Sequence, residues 1–504
     1  MATRTENVPS VPIGEKLGMK TRVVRGVFWS LLGMVGHRVL GAISSVAIAR
    51  ILGPRIFGQY AMVHSTVQLF TAFAGFRLGS TSTKYIAEFR ETNPQKAGRI
   101  LGLVLVVTVL SCGFFALLMF LMSDWLANTH LEVPDLKIPI AIGAGYLFLM
   151  MVGNVLLRTL AGFEEFRSIA IIGIVRGVAS ILICIAATYF WGLVGAVVGL
   201  ILTSAIAAVH TGWMIWSTVK KNQLTVPLAP REVFKEWSIL SSFAIPAMLT
   251  GFVLVGIAWQ GRAMLIQSSN GEFELGVFSA ADQLRLIVMF IPNAIGNVML
   301  PVLSKFYGDA DQGEFESAMT LNLLLAIRIA LPTAMLGIAI SSILVFAFGD
   351  KFANAGEVIP VVMLAVFIYS LNQASRQAFT STGRIWTNLI MHVISAIVFL
   401  IGCAYLIPRF GAIGFAWVHV ISDGLLLVMQ LAFSSAFIVQ SSIRKFISQI
   451  ILGVAAIGIV IFIGGKYGET SQNVVATIAM IVTGFPALML AYKERASKKQ
   501  VKNR

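Results

Sequence analysis

GVFWSLLGMVGHRVLGAISSVAIARILGPRIFGQY, residues 26–60, decides how the chain is read. The run before Arg50 is apolar for about 20 residues, the length a helix needs to cross hydrocarbon. A Gly53-Pro54 corner follows, and a second apolar run starts at Phe57. Arg38 stands midway along the first run, where lipid makes a charge costly, so it marks a functional candidate. The corner returns 218 residues later. Gly53-Pro-Arg-Ile-Phe-Gly58-Gln-Tyr60 matches Gly271-Glu-Phe-Glu-Leu-Gly276-Val-Phe278 in glycine spacing and aromatic position. A second pair, Tyr189-Phe-Trp-Gly192-Leu-Val-Gly195 and Pro408-Arg-Phe-Gly411-Ala-Ile-Gly414, keeps an offset of 219. These offsets predict a six-span unit present twice. Six is even, so the copies run the same way, related by an axis along the membrane normal.

Composition agrees with a membrane-embedded chain. Of 504 residues, 57% are hydrophobic and 12% charged, against roughly a quarter charged in soluble domains. The net charge of +15 does not point to nucleic acid, because the basic residues lie scattered in short loops between apolar runs. Cys112, Cys184 and Cys403 lie inside apolar runs with neither disulfide nor metal spacing, and read as small fillers. No cleavable signal peptide is evident, since the first apolar run is too long for one.

The pattern predicts an all-α integral membrane protein of fourteen spans. Residues 1–23 form a tail, 24–216 a first lobe of spans one to six, and 217–239 a cytoplasmic linker with Pro227 and Pro230. Residues 240–438 form a second lobe of spans seven to twelve, 439–491 spans thirteen and fourteen, and 492–504 a basic tail. Span nine is expected over 319–347. Ser80–Glu91 reads as a short surface helix with Lys84 and Arg90 toward headgroups. Pro246, Pro292, Pro332 and Pro360 permit bending in the second lobe. Placing both termini on one side puts 27 Lys and Arg on that side and six on the other, with five arginines left inside spans. That bias sets both termini in the cytoplasm.

The five intramembrane arginines are Arg38, Arg176, Arg262, Arg285 and Arg328, and no lysine shares their depth. A planar guanidinium stays charged and matches phosphate oxygens two at a time, so together they predict a cationic cavity for a phosphate-bearing substrate. Structural pairing is the competing reading for Arg285, three residues after Asp282 on one helical face. Arg176 and Arg328 lie about two turns inside the cytoplasmic boundary, where snorkelling competes. Asp282 and Asp423 are the acids at depth; the repeat offset carries Asp282 onto His64, and His419 shares a helical face with Asp423. These four groups are candidates for H+ or Na+ coupling, with charge neutralisation and helix–helix hydrogen bonding as the alternative. No Walker loop, HExxH, CxxC or nucleophile elbow is present, and the outer connections are short. Nothing points to an enzyme, a metal or another cofactor.

Three stretches carry a family likeness: RGVFWSLLGMVGHRVLGAISSVAIARILGPRIFGQYAMV (25–63), GVFSAADQLRLIVMFIPNAIGNVMLPVLSKFYGD (276–309) and FGAIGFAWVHVISDG (410–424). They resemble Wzx-type polysaccharide flippases of the MOP superfamily, which also holds the MATE drug exporters and the lipid II flippases. The resemblance covers the first twelve spans and implies two six-helix lobes around a central cavity open alternately to each side. It further implies arginines that engage the diphosphate of an undecaprenyl-linked oligosaccharide, a lipid-diphosphate-linked glycan, on its way to surface polysaccharide such as lipopolysaccharide or exopolysaccharide. Arg38, Arg262 and Arg285 are the candidates for that role, chosen by depth. Membrane lipids and polysaccharide polymerase or export machinery are the expected partners, in the bacterial cytoplasmic (inner) membrane. The alternative is an ion-coupled exporter of amphipathic molecules. Similar exporters often place acids in the amino half, and the spans of that half here contain none.

Overall fold

The computed structural model describes residues 13–74, 78–227, 229, 237, 255–309, 311–434 and 440–483, and among them the ordered elements are helices alone. The amino tail to residue 12, most of the expected linker, the start of span seven with Pro246 and the basic carboxyl tail lie outside the described residues.

The longest helix, α1 (Ile13–Ala74), has 62 residues. Straight, at about 1.5 Å per residue, it would exceed a hydrocarbon layer roughly threefold. It turns instead at Gly53 (φ 71°, ψ 170°), with Pro54 next in the chain, so the corner falls where the sequence places it. The short surface helix is α2 (Leu78–Phe89). Then come α3 (Pro94–Trp125), a wide turn at Leu126–His130, a tight turn at Pro134–Leu136, and α4 (Lys137–Gly162). Next are α5 (Phe166–Ala179) and α6 (Ile185–Lys221). The second half supplies α7 (255–266), α8 (Gly271–Val288), α9 (Phe290–Gly308), α10 (Gln312–Ala339) and α11 (Ser341–Phe348). It continues with α12 (Ala355–Ser381) and α13 (Ile385–Ser434), and α14 (Gln440–Tyr467) and α15 (469–483) follow.

Among the described residues, eight stretches are long and apolar enough to cross a membrane. Three of them, of 40, 56 and 50 residues, are each long enough for two crossings at about 20 residues each. Each is broken by a glycine: Gly53, Gly192 and Gly411.

The second sequence match is reproduced in the backbone dihedrals. Gly192 has φ 56°, ψ −131°, and Gly411 has φ 53°, ψ −128°. Both occupy the left-handed side of the map, which an L side chain adopts only with strain. Three residues on, a Cβ on Gly195 would strike the Ala187 carbonyl and lie 3.0 Å from the Trp191 Cβ. One on Gly414 would strike the Leu406 carbonyl and lie 3.0 Å from the Phe410 Cβ. The first match is looser, because positive φ sits on Gly53 in one copy but on Asn270, one residue early, in the other.

Three sequence expectations shift. Span nine, expected unbroken over 319–347, is interrupted at Ile340 between α10 and α11. The expected linker start at 217 falls inside α6, which continues to Lys221; Lys220 and Lys221 complement the negative end of the helix dipole, and the Asn222 side chain donates to the Thr218 carbonyl. Arg90 turns inward from the surface, reaching Glu164 at 2.7 Å and the Gly162 carbonyl at 3.2 Å at the end of α4.

By proximity the residues form two compact units that do not follow chain order. Unit 1 is Met1–Ser45, Phe70–Leu121 and Ala141–Met248; unit 2 is Val46–Leu69, Met122–Ile140 and Leu249–Arg504. Within unit 1, Ile86 of α2 packs with Ala97, Leu101, Phe163 and Leu224, and the Ser82 and Thr159 hydroxyls meet at 2.7 Å. Within unit 2, the post-corner part of α1 lies against α8 through two glycines. A Cβ on Gly58 would strike the Glu272 carbonyl, and one on Gly276 would strike the Pro54 carbonyl. Adding 218 turns Gly58 into Gly276 and Pro54 into Glu272, so the crossing is reciprocal. Where lipid offers no hydrophobic drive between helices, such close backbone approach is what holds them. The Glu272 carboxylate then accepts from Gln59 Nε2 at 2.6 Å and pairs with Arg55 Nε at 2.8 Å.

Candidate functional site

A cluster of partly buried charge lies in unit 2, on α7, α8, α13 and the post-corner part of α1. Helix α8 carries Glu272 and Glu274 in its first turn and Arg285 in its last, each sign at the end the helix dipole favours. Leu275, Val277, Phe278, Ala280, Ala281, Leu284 and Val288 are buried, which leaves Asp282 and Arg285 together on a partly open face. Arg285 grips Asp282 with both edges of its fork: Nε to Oδ1 at 2.6 Å and Nη2 to Oδ2 at 2.9 Å. From α7, Arg262 Nη2 approaches the same Oδ2 at 3.7 Å, and its Nη1 leans on the Ala258 carbonyl at 3.4 Å. One carboxylate therefore serves two guanidinium groups.

Other expected residues gather here. His64 is close enough to Arg262 to feel its charge. Asp423 lies within Coulombic reach of Arg285 but makes no ion pair with it among the described residues. His419 is boxed by the rings of Phe278, Phe399 and Phe415, at centroid distances of 5.9, 4.9 and 5.0 Å. Five of the nine candidates, Arg262 and Arg285 with Asp282, His64 and His419, thus share one neighbourhood with Asp423 at its edge.

Arg38 and Arg176 belong to unit 1 and flank His37. Arg38 is exposed on α1, while Arg176 on α5 is half-buried and bonds the hydroxyl of the buried Tyr146 on α4. Arg328 stands apart, exposed on α10 with no ion pair among the described residues. Three polar groups went unmarked in the sequence. Tyr146 is the phenol facing Arg176. Asn372 donates to the Asp423 backbone carbonyl at 2.9 Å, and Ser375 lies one turn further along α12. Asn372 Oδ1 and Ser375 Oγ are buried without a hydrogen-bond partner, which is uncommon for buried polar atoms. Their signal was present: Ser370, Asn372, Gln373 and Ser375 crowd polar groups into an expected span. Among the described residues no cluster of His, Cys, Asp and Glu has the make-up of a metal site, and the three cysteines are buried and unbridged.

Comparison with known proteins gives this geometry a family. The model of the family described as "Polysaccharide biosynthesis protein" matches residues 23–307, and the MatE model matches 246–406. A protein of Shigella flexneri named putative O-antigen transporter is 24% identical over 425 residues, 80% of this chain and 96% of that one. The lipid III flippase of Escherichia coli (strain K12) is 22% identical, over 56% of this chain and 67% of its own. Among solved structures, the lipid II flippase MurJ in an inward closed conformation has a TM-score of 0.66, with 14% identity, covering 93% of this chain and all of its own. That likeness is one of fold: an all-helical membrane protein of the kind seen in MurJ. The family model spans more than half of the 504 residues, and the chain belongs to the polysaccharide biosynthesis protein family.

Proposed function

We propose that this chain is a flippase that carries undecaprenyl-diphosphate-linked oligosaccharide units from the inner to the outer leaflet of the bacterial cytoplasmic membrane, for surface polysaccharide assembly. The observation that carries the reading is the pair of guanidinium groups, Arg262 and Arg285, converging on one site in a chain whose near full-length relative is named an O-antigen transporter. Guanidinium forks suit diphosphate oxygens and keep their charge in low dielectric. Arg38, Arg176 and Arg328 are the further contacts in this reading. Fourteen spans in two six-span lobes, cytoplasmic termini and alternating access to a cavity belong to the same proposal, supported by the repeat and by the 27-to-6 charge bias. Polysaccharide polymerase or export machinery is the proposed downstream partner.

His64, Asp282, His419 and Asp423 are proposed as the coupling groups. The unpartnered Oδ1 of Asn372, whose amide donates to the Asp423 backbone carbonyl, supports a small cation there. Collapsing the sodium gradient and the proton gradient separately in vesicles identifies the ion, and transport indifferent to both removes the role. The MatE match over 246–406 favours a second reading, an ion-coupled exporter of amphipathic molecules. Deletion separates the two. A flippase strain loses surface polysaccharide and accumulates its lipid-linked precursor inside, whereas an exporter strain keeps its polysaccharide and becomes sensitive to toxic amphiphiles. Arg38→Ala and Arg262→Ala are expected to abolish complementation at normal protein levels, with Lys rescuing in part; full activity of both alanine variants ends the diphosphate role.

A further inference from the structure

The geometry points to Asp282 as a resident counter-anion that occupies the arginine fork in the empty carrier and is displaced by the phosphate of the incoming substrate. This rests on the reading of Arg262 and Arg285 as diphosphate contacts and adds how the site lets its cargo go.

The two Asp282 oxygens hold Arg285 edge-on at 2.6 and 2.9 Å, the same two-point grip that a phosphate makes through two of its oxygens. Oδ2 is also the atom that Arg262 approaches at 3.7 Å, so the carboxylate sits where the two guanidinium groups converge. None of the three side chains is fully buried: Arg262 is 22%, Arg285 36% and Asp282 17% exposed, so each offers surface to an anion. Arg285 Nη1 and Arg262 Nε make no hydrogen bond among the described residues, so a diphosphate, with more oxygens than a carboxylate, finds donors that Asp282 cannot use.

A carrier must return empty. Two uncompensated guanidinium groups in a low-dielectric bundle are costly, whereas a carboxylate within the protein keeps them compensated after the cargo has left. The same carboxylate weakens substrate binding, because every phosphate contact with the fork replaces one to Asp282. Affinity and turnover are thereby set against each other, and Asp282 is a positioning residue that acts through the arginines.

The test uses the full chain in nanodiscs with farnesyl diphosphate as the soluble probe, alongside surface-polysaccharide complementation in cells. Asp282→Asn, nearly isosteric and uncharged, is expected to bind the probe about tenfold tighter and release it more slowly, while export falls at normal protein level. Asp282→Glu keeps the charge and is expected to bind no tighter than wild type, so it reports even where the Asn variant fails to accumulate. Equal or weaker binding by Asp282→Asn, or tenfold tighter binding by Asp282→Glu, overturns the inference. Arg262→Ala tells the two layers apart. If it loses probe binding while Asp282→Asn does not gain, only the counter-anion role fails; if it binds like wild type, the arginine reading falls and this inference with it.

Discussion

Arg176 and Arg285 each stand in the last turn of a helix, yet they are held by opposite kinds of partner. Arg176 on α5 bonds the phenol of Tyr146, and Arg285 on α8 is forked onto the carboxylate of Asp282. A phenol orients a guanidinium and leaves its charge in place; a carboxylate orients it and cancels it. The backbone behaves differently. The corners at Gly192 and Gly411 agree within 3° in both dihedrals (56° against 53°, −131° against −128°), and the Gly58 and Gly276 seats are reciprocal. What repeats in this molecule is the backbone frame, whereas Arg285 has Val67 and Asp282 has His64 at the offset of 218, so the charge is not repeated with it.

The sharpest break of the comparison is to remove each arginine. Arg285→Ala leaves Asp282 with Arg262 at 3.7 Å as its remaining ion-pair partner, a largely stranded carboxylate. Removing one member of a fully buried pair costs about 3–5 kcal/mol. Here Arg285 is one-third exposed, and about 2 kcal/mol is the expected loss. Arg176→Ala leaves only the buried Tyr146 hydroxyl without its partner, for about 1 kcal/mol. Denaturant unfolding in detergent, followed by helix content, measures both. Equal losses would mean that the phenol and the carboxylate hold their arginines alike, and the contrast between Arg176 and Arg285 would dissolve.

How far the sequence carries depends on the range of the physics involved. Helices and corners are local: apolar length marks the spans, and Gly53, Gly192 and Gly411 mark the breaks. The cost of burying charge is also local, so depth alone singled out Arg262, Arg285 and Asp282, which the fold does bring together. Arg328 shows the limit, since depth cannot say which way a helix face turns, and this one is exposed on α10. Pairings between distant helices were out of reach: nothing near Tyr146 announces Arg176, and nothing near Asn372 announces Asp423. The break at Ile340 escaped for a different reason. Gly337 lies three residues before it and Ser341-Ser342 follow it directly, but the same signals, Gly41 and Ser44-Ser45, lie inside an unbroken part of α1, so they do not mark a break on their own.

A smaller effect tests whether the duplicated frame is equivalent in its surroundings as well as in its dihedrals. Gly192→Ala places a Cβ where no heavy atom lies within 4 Å, so its loss comes only from holding an alanine at φ 56°, about 1 kcal/mol. Gly411→Ala carries that same strain and also meets the Glu274 carboxylate, with Oε2 at 2.5 Å from the new Cβ. That carboxylate accepts from the Ala412 amide at 2.8 Å, so pushing it aside loosens a cap at the start of the helix after the corner. Gly411→Ala is therefore expected to lower the unfolding free energy by about 1 kcal/mol more than Gly192→Ala. Glu274→Ala in the Gly411→Ala background removes the collision and the cap together, so the double variant should lose less than the two single losses combined. Strict additivity of the two changes would place Glu274 outside the corner's energetics and leave the two hairpins equivalent in surroundings as well as in shape.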